Sequence, residues 1–402
     1  MDTITLLIKP SSFRCNIECT YCFYRRVKEL YPGRHPFMTI QDAEVLIRKT
    51  LQLDCREYQF CWQGGEPTLM GIDFFREIVR MQQEHGRSGQ VIGNSIQTNG
   101  VLIDDRWAQF LAESSFLVGL SLDGPEDVHD HYRKTPAGKG TFNEVMKAAG
   151  YLRRHGVAFN ILTLLTHRNV KQVERLYGFF RREGFSHIQF IPCLERNPVT
   201  GEVLPHSITA DELGRFHCAL FDLWMRDGFY DVSIRTFEDI LIYYIDGVHT
   251  SCNWLRECAS YLVIEHNGDV YPCDFFVYPE WKLGNIREDA YHRIMGNPLR
   301  RSFARMKSAL PGQCRNCRYL DFCNGDCLKF RVPAGNGSER ESALCEARRM
   351  LFEHMEPHLP AIRERALKVR ADRQHAGRGT GLGRNERCPC GSGLKFKKCC
   401  GL

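Results

Sequence analysis

The chain has 402 residues, of which 43% are hydrophobic and 25% charged, and a formal net charge of +6. These values are typical of a globular protein with two or three domains and exclude a wholly disordered chain. Residues 361–402 carry 11 Lys and Arg against three Asp and Glu, so the rest of the chain has a net charge of −2. The main body therefore gives no support to a nucleic-acid interface, and the partner of the basic tail is unknown. Without a long apolar segment or a secretory signal, the sequence predicts a cytoplasmic protein outside the membrane.

The first half of the chain alternates short apolar runs with helical patterns, and most joins contain Gly, Pro or Asp. This alternation predicts an α/β fold with a parallel sheet, either doubly wound or a barrel, and an active site at the C-terminal ends of its strands. The six predicted strands are Ile4–Lys9, Tyr58–Trp62, Asn94–Gln97, Leu117–Leu122, Asn160–Thr166 and His187–Pro192. The predicted helices between them are Ile72–His85, Arg106–Glu113, Phe142–His155 and Val173–Glu183.

The pattern changes after about residue 200. Two helices are predicted, Asp211–Arg226 and Phe237–Asp246, followed by a hairpin that pairs residues 261–265 with residues 269–271. From Ala361 the sequence predicts a basic helix that runs into a Gly-rich linker ending near Gly383.

The composition is unusual in its high cysteine content, with 19 cysteines in the chain. A large cytoplasmic protein keeps its thiols reduced, so clustered cysteines indicate metal binding rather than disulfides. The first group, Cys15, Cys19 and Cys22, follows the first strand. Three thiolates at this spacing can bind three irons of a [4Fe–4S] cluster and leave the fourth iron open for a ligand. The alternative is a zinc site, which would normally need a fourth protein ligand nearby.

Two more cysteine groups lie in the second half of the chain. Eight cysteines suit two four-thiolate cages, which could hold two [4Fe–4S] clusters or two zinc ions. They are Cys252, Cys258, Cys273, Cys314, Cys317, Cys323, Cys327 and Cys345. The last group, Cys388, Cys390, Cys399 and Cys400, lies in a short Gly- and Lys-rich segment that suits one closed zinc site.

The segment from Cys15 to Cys22 resembles the signature of the radical S-adenosylmethionine (SAM) superfamily. The resemblance implies a partial (β/α)6 barrel over residues 1–230 and SAM bound at the open iron. Three further motifs resemble the family's SAM contacts, although the last two could equally be polar strand ends that cap the next helices. Their implied SAM-binding residues are Gly64, Gly65, Glu66, Thr98, Asn99, Ser121 and Asp123.

The eight central cysteines resemble a SPASM domain, which this likeness places at residues 231–355 with two auxiliary [4Fe–4S] clusters. It implies one ligand set of Cys252, Cys258, Cys273 and Cys327, and a second set of Cys314, Cys317, Cys323 and Cys345. Residues 384–402 resemble the zinc-binding SEC-C motif, joined by the predicted helix and linker at residues 356–383. The resemblances together imply three [4Fe–4S] clusters, SAM and one Zn²⁺.

From Ile4 to Met350 the arrangement looks most like the anaerobic sulfatase-maturating enzymes. That likeness implies radical oxidation of a Cys or Ser in an unfolded or nascent sulfatase to Cα-formylglycine, with flavodoxin or ferredoxin as electron donor. It assigns Asp274 as the base that deprotonates the target side chain, and Gln63 and Arg133 as substrate contacts. Asp274 could instead be a solvated acid, and Arg133 could pair with a carboxylate.

Two other functions remain open from the sequence. A different SPASM enzyme would crosslink a ribosomal peptide, and such enzymes usually carry an N-terminal leader-binding domain for which no room precedes Cys15. A non-enzymatic scaffold or zinc protein would be colourless when purified, whereas iron–sulfur clusters would make the protein brown.

Overall fold

Ten strands form one sheet, and its centre consists of the six parallel strands that the sequence predicts. The computed structural model describes residues 2–32, 37–197, 200–228, 231–333 and 340–368. Its strands are β1 (Thr3–Lys9), β2 (Glu57–Trp62), β3 (Val91–Thr98), β4 (Leu117–Ser121), β5 (Phe159–Leu165), β6 (His187–Pro192), β7 (Ser233–Ile234), β8 (Leu262–Glu265), β9 (Asp269–Tyr271), β10 (Gly284–Asn285), β11 (Arg331–Pro333) and β12 (Arg340–Ser342). The sheet order is β10-β9-β8-β1-β2-β3-β4-β5-β6-β7, and β11 pairs separately with β12.

Helices follow most of the parallel strands, and others lie in the cysteine-rich half of the described chain. They are α1 (Val27–Leu30), α2 (Ile40–Leu51), α3 (Ile72–His85), α4 (Asp105–Glu113), α5 (Glu126–Tyr132), α6 (Phe142–Arg154), α7 (Val173–Arg182), α8 (Ala210–Arg226), α9 (Arg235–Asp246), α10 (Tyr291–Gly296), α11 (Pro298–Ser308), α12 (Gly312–Arg315), α13 (Leu320–Cys323) and α14 (Cys345–Met355). The α2 and α8 helices each begin with a capping box, at Thr39 and Thr209 respectively, which satisfies otherwise free backbone N–H groups.

Strands β1 to β6 pair in chain order, each parallel to the next. The α/β fold with a parallel sheet is therefore confirmed, and the six strands and their helices match the sequence prediction to within a few residues. The two-residue strand β7 adds to β6 in parallel and was not predicted, because so short a strand leaves no periodic pattern.

The predicted hairpin is present, and it continues the sheet of the first half. Strand β8 pairs parallel to β1, with Leu6 opposite Leu262, and β9 returns antiparallel to β8. The sheet is thus continuous across residue 230, where the sequence placed a domain boundary. Because β8 lies beside β1, the loop after β9 reaches the C-terminal end of β1, where Asp274 lies.

Residues 359–368 are helical, as expected for the start of the basic segment. The rest of the predicted linker and the four C-terminal cysteines lie outside the described residues. Within the described ranges, no helix has both the length and the apolar character to cross a membrane.

We expect the protein to lose stability in mild acid, because two of its histidines are buried. Burial lowers the pKa of both His129 and His217 to about 3, whereas a histidine in an unfolded chain titrates near 6.5. Below about pH 6.5 the unfolded chain binds protons that the folded chain does not. Above about pH 6.5 these two histidines therefore leave the free energy of unfolding at its full value. The free energy of unfolding decreases as the pH falls from there towards 3. At pH 5 each histidine is expected to lower the free energy of unfolding by about 2 kcal/mol.

Urea unfolding at pH 7 and pH 5 measures this loss. The matched variant is His217→Leu, because neither ring nitrogen of His217 has a hydrogen-bond partner among the described residues. The variant should lose less stability between the two pH values than the unaltered protein, by about the share of one histidine. An identical decrease in the free energy of unfolding of both proteins would contradict the conclusion that buried His217 makes the stability depend on pH.

Candidate active site

A cavity of about 260 Å³ opens at the C-terminal ends of the parallel strands. Active sites of strand–helix barrels lie at this end. The cavity gathers the three N-terminal cysteines and most of the other residues that the sequence singled out, although these come from distant parts of the chain. Among its lining residues are Cys15, Cys19, Cys22, Gln63, Gly64, Gly65, Thr98, Asn99, Ser121, Arg133 and Asp274.

The three cysteines lie on one loop that follows β1 and is held by Asn99. The Asn99 side-chain amide donates to Asn16 Oδ1 at 2.7 Å and contacts Cys15 Sγ at 3.6 Å. Burial raises the pKa of the Cys19 thiol to about 12, so the metal-free protein holds it protonated and metal binding would release this proton. No three His, Cys, Asp or Glu residues in the described ranges surround a point close enough to hold a single metal ion. A cubane cluster places each thiolate on a different iron, so three thiols on one loop can bind three of its irons.

Gly64 and Gly65 allow the turn after β2 to pack directly against the cysteine loop. Gly65 N donates to Ser12 O at 2.6 Å, and Glu66 N donates to Arg14 O at 2.8 Å. A Cβ atom on Gly65 would lie 2.0 Å from Arg14 O, which no side chain can tolerate. Gly64 has φ of +137°, a conformation open to glycine and strained for other residues. The glycines are therefore required for contact between the two loops, in addition to any approach of a ligand.

Glu66 connects two strand ends from inside the protein. Its Oε1 accepts hydrogen bonds from Thr68 N and Oγ1 and from Thr98 Oγ1, and its Oε2 accepts one from Asn99 N at 2.7 Å. The side chain is fully buried and does not line the cavity. Burial raises the pKa of Glu66, and these hydrogen bonds oppose the shift. In this arrangement Glu66 would act on a ligand by positioning the loop of Thr98 and Asn99.

Asp123 and Arg133 form a buried ion pair beside the cysteine loop. Arg133 Nε lies 2.9 Å from Asp123 Oδ2, and the hydroxyl of Tyr21 donates to the same oxygen. Asp123 Oδ1 accepts from the backbone N–H of Leu164 at 3.0 Å. Both carboxylate oxygens are thus engaged, and Asp123 lies behind the cavity wall, whereas Arg133 and Ser121 line it. Arg133 therefore pairs with a carboxylate, which was the alternative to a substrate contact in the sequence analysis.

Asp274 faces the cavity from the cysteine-rich half of the chain. Its Oδ1 lies 2.6 Å from the ammonium of Lys9, and its Oδ2 accepts a hydrogen bond from Gln63 Nε2 at 3.1 Å. Lys9 ends β1 and has only 2% of its side chain exposed. Its ammonium also lies over the ring of Tyr24, whose hydroxyl donates to the buried Glu265. Asp274 thus lies between a buried cation and an amide donor.

Sequence reasoning missed Lys9, because the residue reads as an ordinary strand end. The one available signal was a lysine that closes an otherwise uncharged β1 just before the cysteine loop.

The eight central cysteines separate into two groups. Burial is the main reason why the pKa of the Cys327 thiol is raised to about 12. The charges of the nearby residues Cys252 and Cys258 also raise this pKa. The pKa of Cys273 is likewise raised by burial and then by Cys327. These four are the residues of the first predicted ligand set.

The second predicted ligand set surrounds a separate cavity of about 520 Å³. Its four cysteines, Cys314, Cys317, Cys323 and Cys345, all line this cavity. Burial followed by the charges of Cys314 and Cys317 raises the pKa of the Cys345 thiol. Within the part of the chain that the structure describes, the clustered thiols therefore form three groups, one in the barrel and two in the cysteine-rich half.

Buried cations accompany the cysteines of the second half. Lys307, on α11, is fully buried and donates to the carbonyl oxygens of Cys252 and Asn253 at 3.1 and 2.6 Å. Arg331 interacts electrostatically with Cys258, Cys314 and Cys323, residues of both sets. Positive charges at these positions would favour the thiolate form of the cysteines and offset the negative charge of bound clusters.

Comparison with protein families identifies the class. The sequence matches the Radical SAM superfamily over residues 10–180, the iron–sulfur cluster-binding domain SPASM over residues 252–318, and the SEC-C motif over residues 384–402. The fold and the site therefore define a radical SAM protein with an iron–sulfur cluster-binding domain. Its cofactors are [4Fe–4S] clusters and SAM, a set that the three thiol groups fit.

The relatives identify the family within that class. The cysteine-type anaerobic sulfatase-maturating enzyme of Clostridium novyi (strain NT) is 34% identical over 384 residues, which are 93% of this chain and 100% of that protein. The serine-type enzyme of Bacteroides thetaiotaomicron is 31% identical over 385 residues, 91% of this chain and 92% of that protein. The chain belongs to the anaerobic sulfatase-maturating enzymes, as the resemblance in the sequence indicated.

Solved structures agree with this assignment. Native anSMEcpe with bound AdoMet and the Cp18Cys peptide matches with a TM-score of 0.83 and 33% identity, over 90% of this chain and 99% of that chain. Streptococcus suis SuiB bound to its precursor peptide SuiA matches with a TM-score of 0.58 and 20% identity, over 82% of this chain and 73% of that chain, which shows a shared fold alone. The match favours the maturase family over a SPASM enzyme of the SuiB kind.

Proposed function

We propose that this protein oxidises the Cβ atom of a Cys or Ser residue in an unfolded or nascent sulfatase to an aldehyde, which yields Cα-formylglycine. The observation that carries the proposal is the meeting of Asp274 and the three N-terminal cysteines in one cavity. The family membership supports it. A carboxylate that faces the cavity of a radical SAM enzyme supplies the base that this oxidation needs.

The residues of the cavity fit the cofactors. Cys15, Cys19 and Cys22 would hold the first [4Fe–4S] cluster, with SAM against the loops of Gly64, Gly65, Thr98, Asn99 and Ser121. When bound, the cluster and SAM supply a carbon-centred radical that removes one hydrogen atom from Cβ. The apolar side chains of Leu162, Leu164 and Ile191 line the same cavity and keep water from the reacting atoms.

Asp274 performs the proton step. It would accept the proton of the target thiol or hydroxyl, and its contacts with Lys9 and Gln63 orient the carboxylate for this step. Loss of the hydrogen atom, the proton and one further electron leaves a C=S or C=O double bond at Cβ. Water converts C=S to the aldehyde with release of hydrogen sulfide, so Cys and Ser targets give one product.

The auxiliary ligand sets provide a path for the electron. Cys273 of the first set adjoins Asp274 in the sequence, so an electron that leaves the substrate would meet this set first. We assign Cys252, Cys258, Cys273 and Cys327 to one cluster and Cys314, Cys317, Cys323 and Cys345 to the other. The proposal extends to one zinc ion at Cys388, Cys390, Cys399 and Cys400, outside the described residues, and to a cytoplasmic reaction with a flavodoxin or ferredoxin as donor.

The test is an anaerobic reaction of the iron-reconstituted protein with SAM, dithionite and a peptide that contains Cys-x-Pro-x-Arg or its serine analogue. Mass spectrometry should find the formylglycine mass in at least one of the two peptides. If SAM is cleaved and both peptides stay intact, the sulfatase substrate is wrong and another peptide is the target.

Removing one ligand set should remove one cluster. Protein with Cys252→Ala and Cys258→Ala is expected to bind about four iron atoms fewer per chain than the unaltered protein, because a cubane holds four irons. Cys314→Ala with Cys317→Ala should cause the same loss, and the two pairs combined should lose about eight. Iron analysis after anaerobic reconstitution measures this. The matched control is Cys61→Ala with Cys218→Ala, two cysteines outside all three groups, which should leave the iron content unchanged.

A further inference from the structure

Two buried cations beside the auxiliary ligand sets have no acid partner. The lysine and arginine residues that are buried in the described ranges are Lys9, Lys307, Arg331 and Arg348. Lys9 pairs with Asp274, and Arg348 pairs with Asp326. Lys307 and Arg331 instead donate to backbone carbonyl oxygens and form no ion pair with a residue in these ranges. Because a buried charge is costly without a counter-charge, both positions indicate that a negative group binds beside them.

Lys307 lies beside the first auxiliary set. Its helix, α11, contacts Cys258 through the carbonyl oxygen of Ala304, which accepts a hydrogen bond from Cys258 N at 3.3 Å. Three residues further along the helix, Lys307 is fully buried, and its ammonium donates to the carbonyl oxygens of Cys252 and Asn253 at 3.1 and 2.6 Å. These contacts hold a positive charge next to two of the four cysteines of this set.

Arg331 lies where the two auxiliary sets meet in the chain. Cys323 belongs to the second set and Cys327 to the first, and three residues separate them. Arg331 Nε donates to Gly325 O at 2.7 Å, and its Nη2 donates to Asn324 O at 3.0 Å. A Cβ atom on Gly325 would lie 2.3 Å from Arg331 Nη2, so the glycine allows the guanidinium to pack directly on this segment. A guanidinium keeps its charge in proteins, and this one would act on both clusters.

The buried acid between the two sets does not cancel these charges. Asp326 is fully buried, and its Oδ2 lies 3.3 Å from Nε of Arg348. This pair has no net charge, so Lys307 and Arg331 remain as excess positive charge. The first set has contacts with Lys307 and shares Arg331 with the second set.

We propose that Lys307 and Arg331 set the reduction potentials of the auxiliary clusters, Lys307 that of the first cluster and Arg331 those of both. Reduction adds an electron to a cluster that is bound by four thiolates, and a fixed positive charge nearby stabilises the added negative charge. The potential therefore rises, and the cluster accepts an electron more readily. The role in catalysis rests on the proposed function: the substrate loses one electron, the first auxiliary cluster gains it, and no proton or group moves with it.

Redox titration of the reconstituted holoprotein, followed by electron paramagnetic resonance, measures these potentials without a peptide. Lys307→Met should lower the equilibrium constant for one-electron reduction of the first auxiliary cluster on the order of tenfold, which corresponds to about 59 mV. The second auxiliary cluster and the N-terminal cluster should keep their potentials. Arg331→Gln should instead make the potentials of both auxiliary clusters more negative.

Matched variants assign the signals and control for the loss of a side chain. Each auxiliary signal is identified by its absence from Cys252→Ala with Cys258→Ala or from Cys314→Ala with Cys317→Ala. Lys307→Arg and Arg331→Lys keep the positive charge and should keep the potentials near those of the unaltered protein. Arg305→Gln removes a positive charge from the exposed side of α11, where solvent screens it, and should leave all three potentials unchanged.

An unmoved potential of the first cluster in Lys307→Met would overturn the role of Lys307. A change in only one auxiliary potential, or in neither, in Arg331→Gln would overturn the role of Arg331. Loss of about four iron atoms from both Lys307→Met and Lys307→Gln would make the cation a requirement for cluster assembly and would exclude the potential-setting role. If the potentials move as expected while the unaltered protein converts no peptide, the proposed function alone is wrong.

Discussion

Replacing Asp274 with asparagine is expected to stop formylglycine formation while SAM is still cleaved to 5′-deoxyadenosine. Asparagine keeps the size of the side chain but cannot accept a proton from the target thiol or hydroxyl. The loss of a positioned base typically costs 10²- to 10⁴-fold in rate. The contrast between the two products, both measured by mass spectrometry, separates the proton step from the radical step.

The control for this experiment must take account of Lys9, which forms an ion pair with Asp274. Lys9 lies 2.6 Å from Asp274 Oδ1, so Asp274→Asn alone leaves a buried ammonium without its counter-ion and could unfold the site. The double variant Lys9→Met with Asp274→Asn removes both charges together. It should fold and still form no aldehyde. Aldehyde formation at the unaltered rate in either variant would show that Asp274 is not the base.

Replacing Lys9 with methionine is the second change from which we expect a large effect. The variant leaves the Asp274 carboxylate beside Gln63 without the cation that fixes its position. Formylglycine formation at neutral pH should therefore fall on the order of tenfold or more relative to SAM cleavage, because a misplaced base accepts the proton less efficiently. Breaking one partner of a buried ion pair should also lower the free energy of unfolding by about 3–5 kcal/mol.

Lys9→Arg is the matched control, because it keeps the positive charge at the end of β1. Its ratio of formylglycine to 5′-deoxyadenosine should stay near that of the unaltered protein, even if the larger guanidinium lowers both rates. A purely structural role for Lys9 would lower the formation of both products by Lys9→Met equally. An unaltered ratio in Lys9→Met would therefore contradict the assignment of Lys9 as the residue that positions Asp274.

The parallel strands and the cysteine groups could be predicted because their signals are local. Apolar runs such as those of β5 and β6 alternate with amphipathic helices, and this periodicity survives in the sequence without any knowledge of contacts. Cysteine spacing likewise identifies Cys15, Cys19 and Cys22 as one group. By contrast, α2 was missed, although Thr39 and Asp42 form a capping box at its start. That signal was present in the sequence and went unused.

The pairings inside the site could not be predicted, because they join residues far apart in the chain. Lys9 and Asp274 meet only because β8 pairs in parallel with β1, a register that no local pattern encodes. Glu66 was expected at the ligand, and the structure turns it inward to Thr68, Thr98 and Asn99. A carboxylate at a strand end looks the same in the sequence whether it faces a ligand or ties two loops together.

The continuous sheet explains why the site needs both halves of the chain. Strands β8 and β9 extend the barrel sheet beyond β1 and carry Asp274 to the cavity that the cysteine loop begins. The family matches cover residues 10–180 and 252–318 separately, yet strands from both regions belong to one sheet. A fragment that ends at residue 230 would lack the proposed base and both auxiliary ligand sets.

Hydrogen abstraction can be followed with a target peptide that carries two deuterium atoms on the Cβ of its cysteine or serine. We expect one deuterium to move to 5′-deoxyadenosine, whose mass rises by one unit, while the peptide keeps the other as a deuterated formylglycine. The labelled 5′-deoxyadenosine and the deuterated formylglycine should accumulate together and at the same rate. Unlabelled 5′-deoxyadenosine alongside a converted peptide would contradict hydrogen abstraction from Cβ in this cavity.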